Sequence, residues 1–172
     1  GKPLGEEYTL VLAAAGYLSQ KENSEVLVTN LSSSIALDKL ADKYNSTVLR
    51  SAVGEINVVN KMVECNSSFG GEGNGGVILK DAHLGRDALV GAALILSYLS
   101  HQKTTLSETH KALPQYVIVK DKINIKNINI KVFEEKVKNL CKDSIVDETD
   151  GIKFIWSDKW LHIRKSNTEP II

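Results

Sequence analysis

Short apolar segments alternate with helical segments through the first hundred residues of this 172-residue chain. The apolar segments have the length of buried strands, and they lie at residues 25–30, 46–52 and 76–80. The helical segments carry apolar side chains at helical spacing, and they lie at residues 6–19, 32–45, 54–66 and 85–102. This alternation predicts a three-layer α/β domain, in which helices cover a mixed but mostly parallel sheet.

The pattern changes after about residue 103. A helix at 104–114, a strand at 115–125 and an amphipathic helix at 131–142 are followed by two strands, 151–157 and 159–165, that form a hairpin. Strands and helices no longer alternate strictly here. The sequence therefore predicts two domains, an α/β domain at 1–103 and a smaller α+β domain at 104–172.

Composition limits the classes of partner and compartment. Lys plus Arg and Asp plus Glu each number 21, so no net charge favours nucleic acid or an anionic membrane. The longest apolar run, residues 88–96, is far shorter than the roughly 20 residues of a membrane span. No cationic segment followed by an apolar one opens the chain, and the two cysteines are far apart in sequence. We expect a cytoplasmic protein that binds neither nucleic acid nor membrane.

A glycine-rich run, FGGEGNGGVI at 69–78, contains one carboxylate and one amide, those of Glu72 and Asn74. The run follows a helix and precedes a strand, and it lacks the G-x-G-x-x-G spacing, so a dinucleotide fingerprint is excluded. A turn that presents Glu72 and Asn74 to solvent would suit adjacent hydroxyl groups of a sugar, because the two side chains combine acceptors with donors. A plain turn is the alternative.

A second candidate is HIRKSNTEP at 162–170, directly after a predicted strand. Arg164 offers a planar fork of donors, Ser166 and Thr168 offer hydroxyls, and a turn through Asn167 can direct backbone N–H groups at one point. This combination suits a phosphate group. The alternative is a strand-ending turn in which Asn167 and Thr168 cap the local backbone and Arg164 is solvated.

In this order and spacing, the two loops resemble those of the α-D-phosphohexomutases, the superfamily of phosphoglucomutase, phosphomannomutase and phosphoglucosamine mutase. The third domain of that family has a sugar loop G-E-x-S/N-G, which residues 71–75 match. Its fourth domain has a phosphate loop R-x-S-N/G-T-E-P, which residues 164–170 match without a gap. The segment AVGEINVVNKM at 52–62 resembles a Val-Gly segment of the third domain. One departure is Gly76, where many members have histidine.

The resemblance implies roles for seven residues. The residues that would contact the sugar are Glu72, Asn74 and Glu55. Those that would hold the phosphate group that is not being transferred are Arg164, Ser166, Asn167 and Thr168. The implied substrate is a hexose phosphate, that of glucose, mannose or glucosamine.

The resemblance also implies groups that this sequence does not contain. The family transfers phosphoryl groups through a phosphoserine in its first domain and holds Mg²⁺ with a D-x-D-x-D-R loop in its second. We therefore expect a C-terminal fragment with a complete third and a truncated fourth domain, with no catalytic residue and no metal ligand of its own. Its partners would be domains 1 and 2 of the longer protein, and alone it would be inactive. Two alternatives are a non-catalytic phosphosugar-binding or regulatory module and a structural α/β domain.

Overall fold

The structure is a computed structural model that describes residues 1, 3–126, 128–165 and 171–172. It divides into two compact units, Gly1–Val117 and Ile118–Ile172. Residues 104–117, which the sequence analysis assigned to the second domain, lie in the first unit. Leu113 is buried in the core of that unit, and the Tyr8 hydroxyl donates to the carbonyl oxygen of Pro114 (3.1 Å) and accepts from Tyr116 N–H (2.9 Å).

The first unit has the predicted α/β architecture. Its elements are α1 (Glu6–Leu18), β1 (Val26–Asn30), α2 (Ala36–Lys43), β2 (Thr47–Ser51), α3 (Glu55–Glu64), β3 (Phe69–Gly71), β4 (Val77–Leu79), α4 (Ala88–Gln102) and α5 (Leu106–Ala112). The strand order is β2-β1-β3-β4; β1 is parallel to β2 and β3, and β4 is antiparallel to β3. The predicted mixed, mostly parallel sheet is confirmed.

Adjacent residues of the strands pack into separate layers, because successive side chains of a strand point to opposite faces. Leu27 of β1 belongs to the cluster that contains α1 and α2, with Leu94 of α4 packed against it. Val28 belongs to a second cluster with Val58 and Met62 of α3. The sheet is therefore covered by α1, α2 and α4 on one face and by α3 on the other.

Helix α1 is the most buried helix of the first unit. Every residue from Leu10 to Leu18 is buried, which is typical of a helix in a core rather than of an amphipathic surface helix. It contacts β3, β4, α2 and α4. At Gly16 the α4 backbone lies so close that an added Cβ would be 2.4 Å from the carbonyl oxygen of Leu94.

Strand β3 was not predicted. It lies within the glycine run and pairs with β1 on one side and β4 on the other. Glycine has a low strand propensity, so its sequence does not indicate a strand. Burial explains the residue choice: a Cβ on Gly70 would lie 2.5 Å from Met62 Sδ of α3.

A loop covers the outer edge of β4, the last strand in the sheet order. Asp87 N–H donates to the carbonyl oxygen of Val77 (2.8 Å), and His83 N–H donates to that of Leu79 (3.1 Å). The Asp87 side chain then caps α4 by accepting from the N–H groups of its first turn.

The second unit contains α6 (Ile130–Leu140), β5 (Ile145–Asp147), β6 (Ile152–Ile155) and β7 (Trp160–Ile163). The strands form an antiparallel sheet in the order β5-β6-β7, which includes the predicted hairpin. The strand predicted at 115–125 is wrong: the described residues show no strand there, and Asn124 forms an isolated bridge with Ile171. An alternating sequence forms a strand only where it can pair with another strand. Here the described backbone groups that pair with the segment belong to residues 171–172.

None of the helices in the described part of the chain combines the length and the apolar character needed to cross a membrane.

The contact between α1 and α4 leads to a stability prediction. We expect Gly16→Ala to lower the free energy of unfolding by about 1–3 kcal/mol, the usual cost of overpacking, because the α4 backbone cannot rotate away. The control is Gly91→Ala in α4, where the added Cβ would meet only the Val77 side chain, at 3.1 Å. The measurement is urea denaturation followed by far-UV circular dichroism. Equal stability of the two variants would contradict the prediction.

Candidate functional site

Three loops meet at the carboxyl edge of the parallel strands, the edge at which open α/β sheets bind ligands. Strands β1, β2 and β3 end at Asn30, Ser51 and Gly71. The loops that follow them include residues 31–35, 52–54 and 72–76. The two predicted sugar-binding carboxylates, Glu55 and Glu72, lie in or next to two of these loops.

The glycine run forms the β3–β4 hairpin. Glu72 N–H donates to the carbonyl oxygen of Gly76 (2.8 Å), and Gly75 N–H donates to that of Glu72 (3.1 Å). Residues 73–75 connect the strands with Gly75 at φ +90°, which is the pattern of a three-residue hairpin with glycine in its left-handed position. Asn74 is exposed at the tip, and its Oδ1 accepts from Gly76 N–H (3.2 Å).

The Glu72 carboxylate is buried, with only 5% of its side chain exposed. Its Oε1 accepts from Asn30 Nδ2 (2.9 Å) and from Gly54 N–H (3.2 Å). The expectation that the turn presents Glu72 to solvent is therefore wrong, whereas it holds for Asn74. A buried carboxylate needs hydrogen-bond donors, and the end of β1 and the loop after β2 supply them.

Arg86 joins the two carboxylates. Its Nε donates to Glu55 Oε2 (2.8 Å), and its backbone N–H donates to Glu55 Oε1 (3.0 Å). Its Nη1 forms an ion pair with Glu72 Oε2 at 3.4 Å. The Arg86 and Glu55 side chains are 44% and 38% exposed, so this part of the site faces solvent.

Arg86 is not among the site residues predicted from the sequence. No motif and no family resemblance assigned a role to it. No sequence signal shows that the loop before α4 folds back to the hairpin, because that return depends on the tertiary bonds between the loop and β4.

The glycines of the run fit against protein atoms. A Cβ at four of them would lie less than 3 Å from a neighbour: Gly70 from Met62 Sδ, Gly71 from the Gly76 carbonyl oxygen, Gly73 from Glu7 Oε2 and Gly76 from Arg86 Cδ. These contacts account for the glycine content by internal packing. The run does not need a ligand against its main chain to explain its composition.

In the second unit, Arg164 follows β7 and is paired. Its Nε donates to both carboxylate oxygens of Asp150, at 3.0 and 2.9 Å. The alternative in which Arg164 is merely solvated is therefore wrong. The other predicted phosphate ligands, Ser166, Asn167 and Thr168, lie outside the described residues.

The described residues contain no group of three or more His, Cys, Asp and Glu side chains that could hold a metal ion.

Comparison with known proteins gives a consistent set of matches. Residues 5–117 match the family described as phosphoglucomutase/phosphomannomutase, alpha/beta/alpha domain III. A phosphoglucomutase/phosphomannomutase of Thermococcus kodakarensis is 35% identical over 174 residues, which cover 100% of this chain and 38% of the relative. A phosphoglucosamine/phosphogalactosamine mutase of Sulfurisphaera tokodaii is 33% identical over 149 residues, which cover 85% of this chain and 33% of the relative.

A solved structure supports the fold. The phosphoglucomutase/phosphomannomutase family protein from Burkholderia thailandensis matches with a TM-score of 0.76 at 22% identity, over 99% of this chain and 37% of its own. In all three cases the chain spans less than two fifths of the length of the protein that it matches.

The contacts of Glu55 lead to a pH prediction. Hydrogen bonds from the backbone N–H and then the guanidinium of Arg86 hold the pKa of Glu55 below its ordinary value of 4.5. Because the folded-state pKa of Glu55 is lowered, its interaction with Arg86 stabilises the folded chain fully at pH values above the ordinary pKa. That stabilisation is lost as the pH falls through the lowered pKa. We expect Arg86→Met to raise the pKa of Glu55 only in part, because the backbone bond remains.

The measurement is ¹³C NMR titration of the Glu55 carboxyl carbon. Lys61→Met is the control, because Lys61 pairs with Glu64 on the exposed surface. The same Glu55 midpoint in wild type and Arg86→Met would show that the guanidinium does not act on Glu55.

Proposed function

Because this chain belongs to the phosphoglucomutase/phosphomannomutase family, we propose that it is the substrate-recognition half of a phosphohexomutase. Such an enzyme interconverts hexose 1-phosphate and hexose 6-phosphate. The observation that carries the proposal is the placement of Glu55 and Glu72 beside the exposed Asn74 hairpin tip at the carboxyl edge of the sheet. That edge is where α/β sheets bind small ligands.

In this proposal, Glu72, Asn74 and Glu55 bind hydroxyl groups of the sugar. Carboxylate oxygens accept hydrogen bonds from hydroxyls, and the Asn74 amide can accept or donate. The bonds from Asn30 and Gly54 fix the Glu72 carboxylate before a ligand arrives. Such prior ordering lowers the entropy that binding must overcome.

The loop after β7 holds the phosphate group that is not being transferred, through Arg164, Ser166, Asn167 and Thr168. The family resemblance assigns these four residues, and the Asp150 carboxylate orients the first of them. An oriented guanidinium loses less side-chain entropy when it binds a phosphate oxygen.

The chemistry itself is assigned to the rest of the longer protein. A phosphoserine there gives its phosphoryl group to the free hydroxyl of the hexose phosphate, which makes a bisphosphate, and the other phosphoryl group then returns to the serine. Mg²⁺ held by domain 2 supplies positive charge to the transferring group. Phosphoryl transfer depends on positioning and charge neutralisation, so a separate recognition half is consistent with it.

Three consequences complete the proposal. This chain contributes no catalytic residue and is inactive alone. Its partners are domains 1 and 2 of the longer protein and a phosphate ester of glucose, mannose or glucosamine. The reaction belongs to carbohydrate metabolism in the cytoplasm.

Phosphate binding can be tested on the second unit. We expect NMR titration of the 172-residue chain with glucose 6-phosphate to shift amide signals near Arg164, and Arg164→Ala to abolish these shifts because a charge-assisted contact is lost. Lys142→Ala, an exposed cation of the same unit, is the control. If the amide shifts caused by glucose 6-phosphate persist unchanged in Arg164→Ala, the assignment of Arg164 to the phosphate site is wrong.

Sugar binding can be tested separately at the hairpin tip. We expect Asn74→Ala to weaken binding of glucose 6-phosphate about two- to tenfold, the range of one neutral hydrogen bond, and to leave binding of inorganic phosphate unchanged. Asn74 is exposed and its Oδ1 accepts one bond, from Gly76 N–H, so the free energy of unfolding should fall by about 1 kcal/mol or less. Asn60→Ala, at an exposed position of α3, is the matched control. If the same titration shows that Asn74→Ala binds glucose 6-phosphate as tightly as the wild type, the proposed sugar-binding role of Asn74 is wrong.

A further inference from the structure

Arg86 lies directly across the hairpin that carries Glu72 and Asn74. A Cβ on Gly76 would be 2.3 Å from Arg86 Cδ and 3.0 Å from its Cγ, so the aliphatic part of the side chain occupies the space that glycine leaves open. Any larger residue at position 76 would displace it. Gly76 and Arg86 are therefore complementary in shape.

The hydrogen bonds of Glu72 determine where a ligand can reach it. Its Oε1 already accepts two bonds, from Asn30 and Gly54, which is the capacity of one carboxylate oxygen. Among the described residues, its Oε2 has the 3.4 Å ion pair with Arg86 and accepts no hydrogen bond. A hydroxyl group that donates to Glu72 must therefore do so at Oε2, beside the guanidinium.

The Arg86 guanidinium has N–H groups that are available to bind a ligand. Its Nε bonds to Glu55, and one Nη1 contact reaches Glu72. The second Nη nitrogen has no hydrogen-bond partner in the described part of the chain, and the side chain is 44% exposed. Glu55 holds Arg86 in this position through two bonds, to the backbone and to the side chain.

We propose that Arg86 is a sugar-binding residue that acts together with Glu72 on one hydroxyl group. The hydroxyl hydrogen is donated to Glu72 Oε2, and the hydroxyl oxygen accepts from an Nη hydrogen of Arg86. A hydroxyl is both donor and acceptor, so this pair satisfies both of its functions. The inference rests on the proposed function, and it adds a specificity-determining residue to the site.

A different role would have the opposite effect on affinity. If Arg86 only neutralised Glu72 and had to leave before a sugar bound, its removal would strengthen binding. If it donates to the sugar, its removal weakens binding. The sign of the change therefore separates the two roles.

The experiment is NMR titration of the 172-residue chain with glucose 6-phosphate and with its 2-deoxy, 3-deoxy and 4-deoxy analogues. The variants are Arg86→Lys, which keeps the charge but not the planar fork, and Gly76→Ala, which displaces Arg86 without removing it. Lys61→Gln is the control, because it removes an exposed cation from the same unit.

We expect Arg86→Lys and Gly76→Ala each to weaken glucose 6-phosphate about tenfold, the scale of one hydrogen bond to a charged group. In wild type and Lys61→Gln, one deoxy analogue should bind more weakly than the parent sugar. In the two site variants, the difference in affinity between glucose 6-phosphate and that analogue should shrink. The reason is that these variants have already lost the hydrogen bond to the hydroxyl group that the analogue lacks. Partial loss of fold cannot imitate this result, since it weakens parent and analogue equally.

Each other outcome has a defined meaning. In one outcome, the wild type binds glucose 6-phosphate, Arg86→Lys binds it equally or more tightly, and the relative affinities of the deoxy analogues do not change. This result overturns the role of Arg86 and leaves the proposed function standing. Wild type that shows no shifts with any of the four sugar phosphates overturns the proposed function, and this inference with it.

Discussion

A carboxylate that is taken out of water must receive hydrogen bonds from the protein, and Glu72 receives them from segments that are distant in sequence. The hydrogen bonds come from Asn30 at the end of β1 and from Gly54 in the loop after β2, and Arg86 in the loop before α4 adds an ion pair. Removal of one partner of a buried charge is more destabilising than the bond itself suggests. This buried carboxylate, together with bonds such as that from Gly73 N–H to Ser33 Oγ (3.0 Å), holds the loops at the carboxyl edge in one arrangement, and the geometry of the candidate site is part of the fold.

Much of the fold was predictable because periodicity is a local property. Segments with clear helical spacing or a buried apolar run, such as α1 and β1, form the expected elements. The predictions are wrong where contacts with distant segments determine whether a strand forms. Strand β3 consists largely of glycine and is stabilised by its two neighbouring strands. Residues 115–125 have a partly alternating sequence, but within the described part of the chain their bridge is the isolated one of Asn124 with Ile171.

The site was predictable to a smaller extent. Motif resemblance selected Glu55 and Glu72, and the structure places both next to Arg86. The burial of Glu72 and the part played by Arg86 could not be derived from sequence, because both depend on which loops meet at the sheet edge. The phosphate half remains a prediction, since residues 166–170 lie outside the described residues and Arg164 alone is placed.

The loop that returns over β4 has a consequence for the behaviour of the molecule in solution. A free sheet edge is a template for the strand of another molecule, and natural proteins block such edges to avoid aggregation. Here the outward carbonyl groups of Val77 and Leu79 are already bonded within the chain. Because this same segment carries Arg86, a mutation that loosened it would expose an unpaired β edge and disorder the candidate site at the same time.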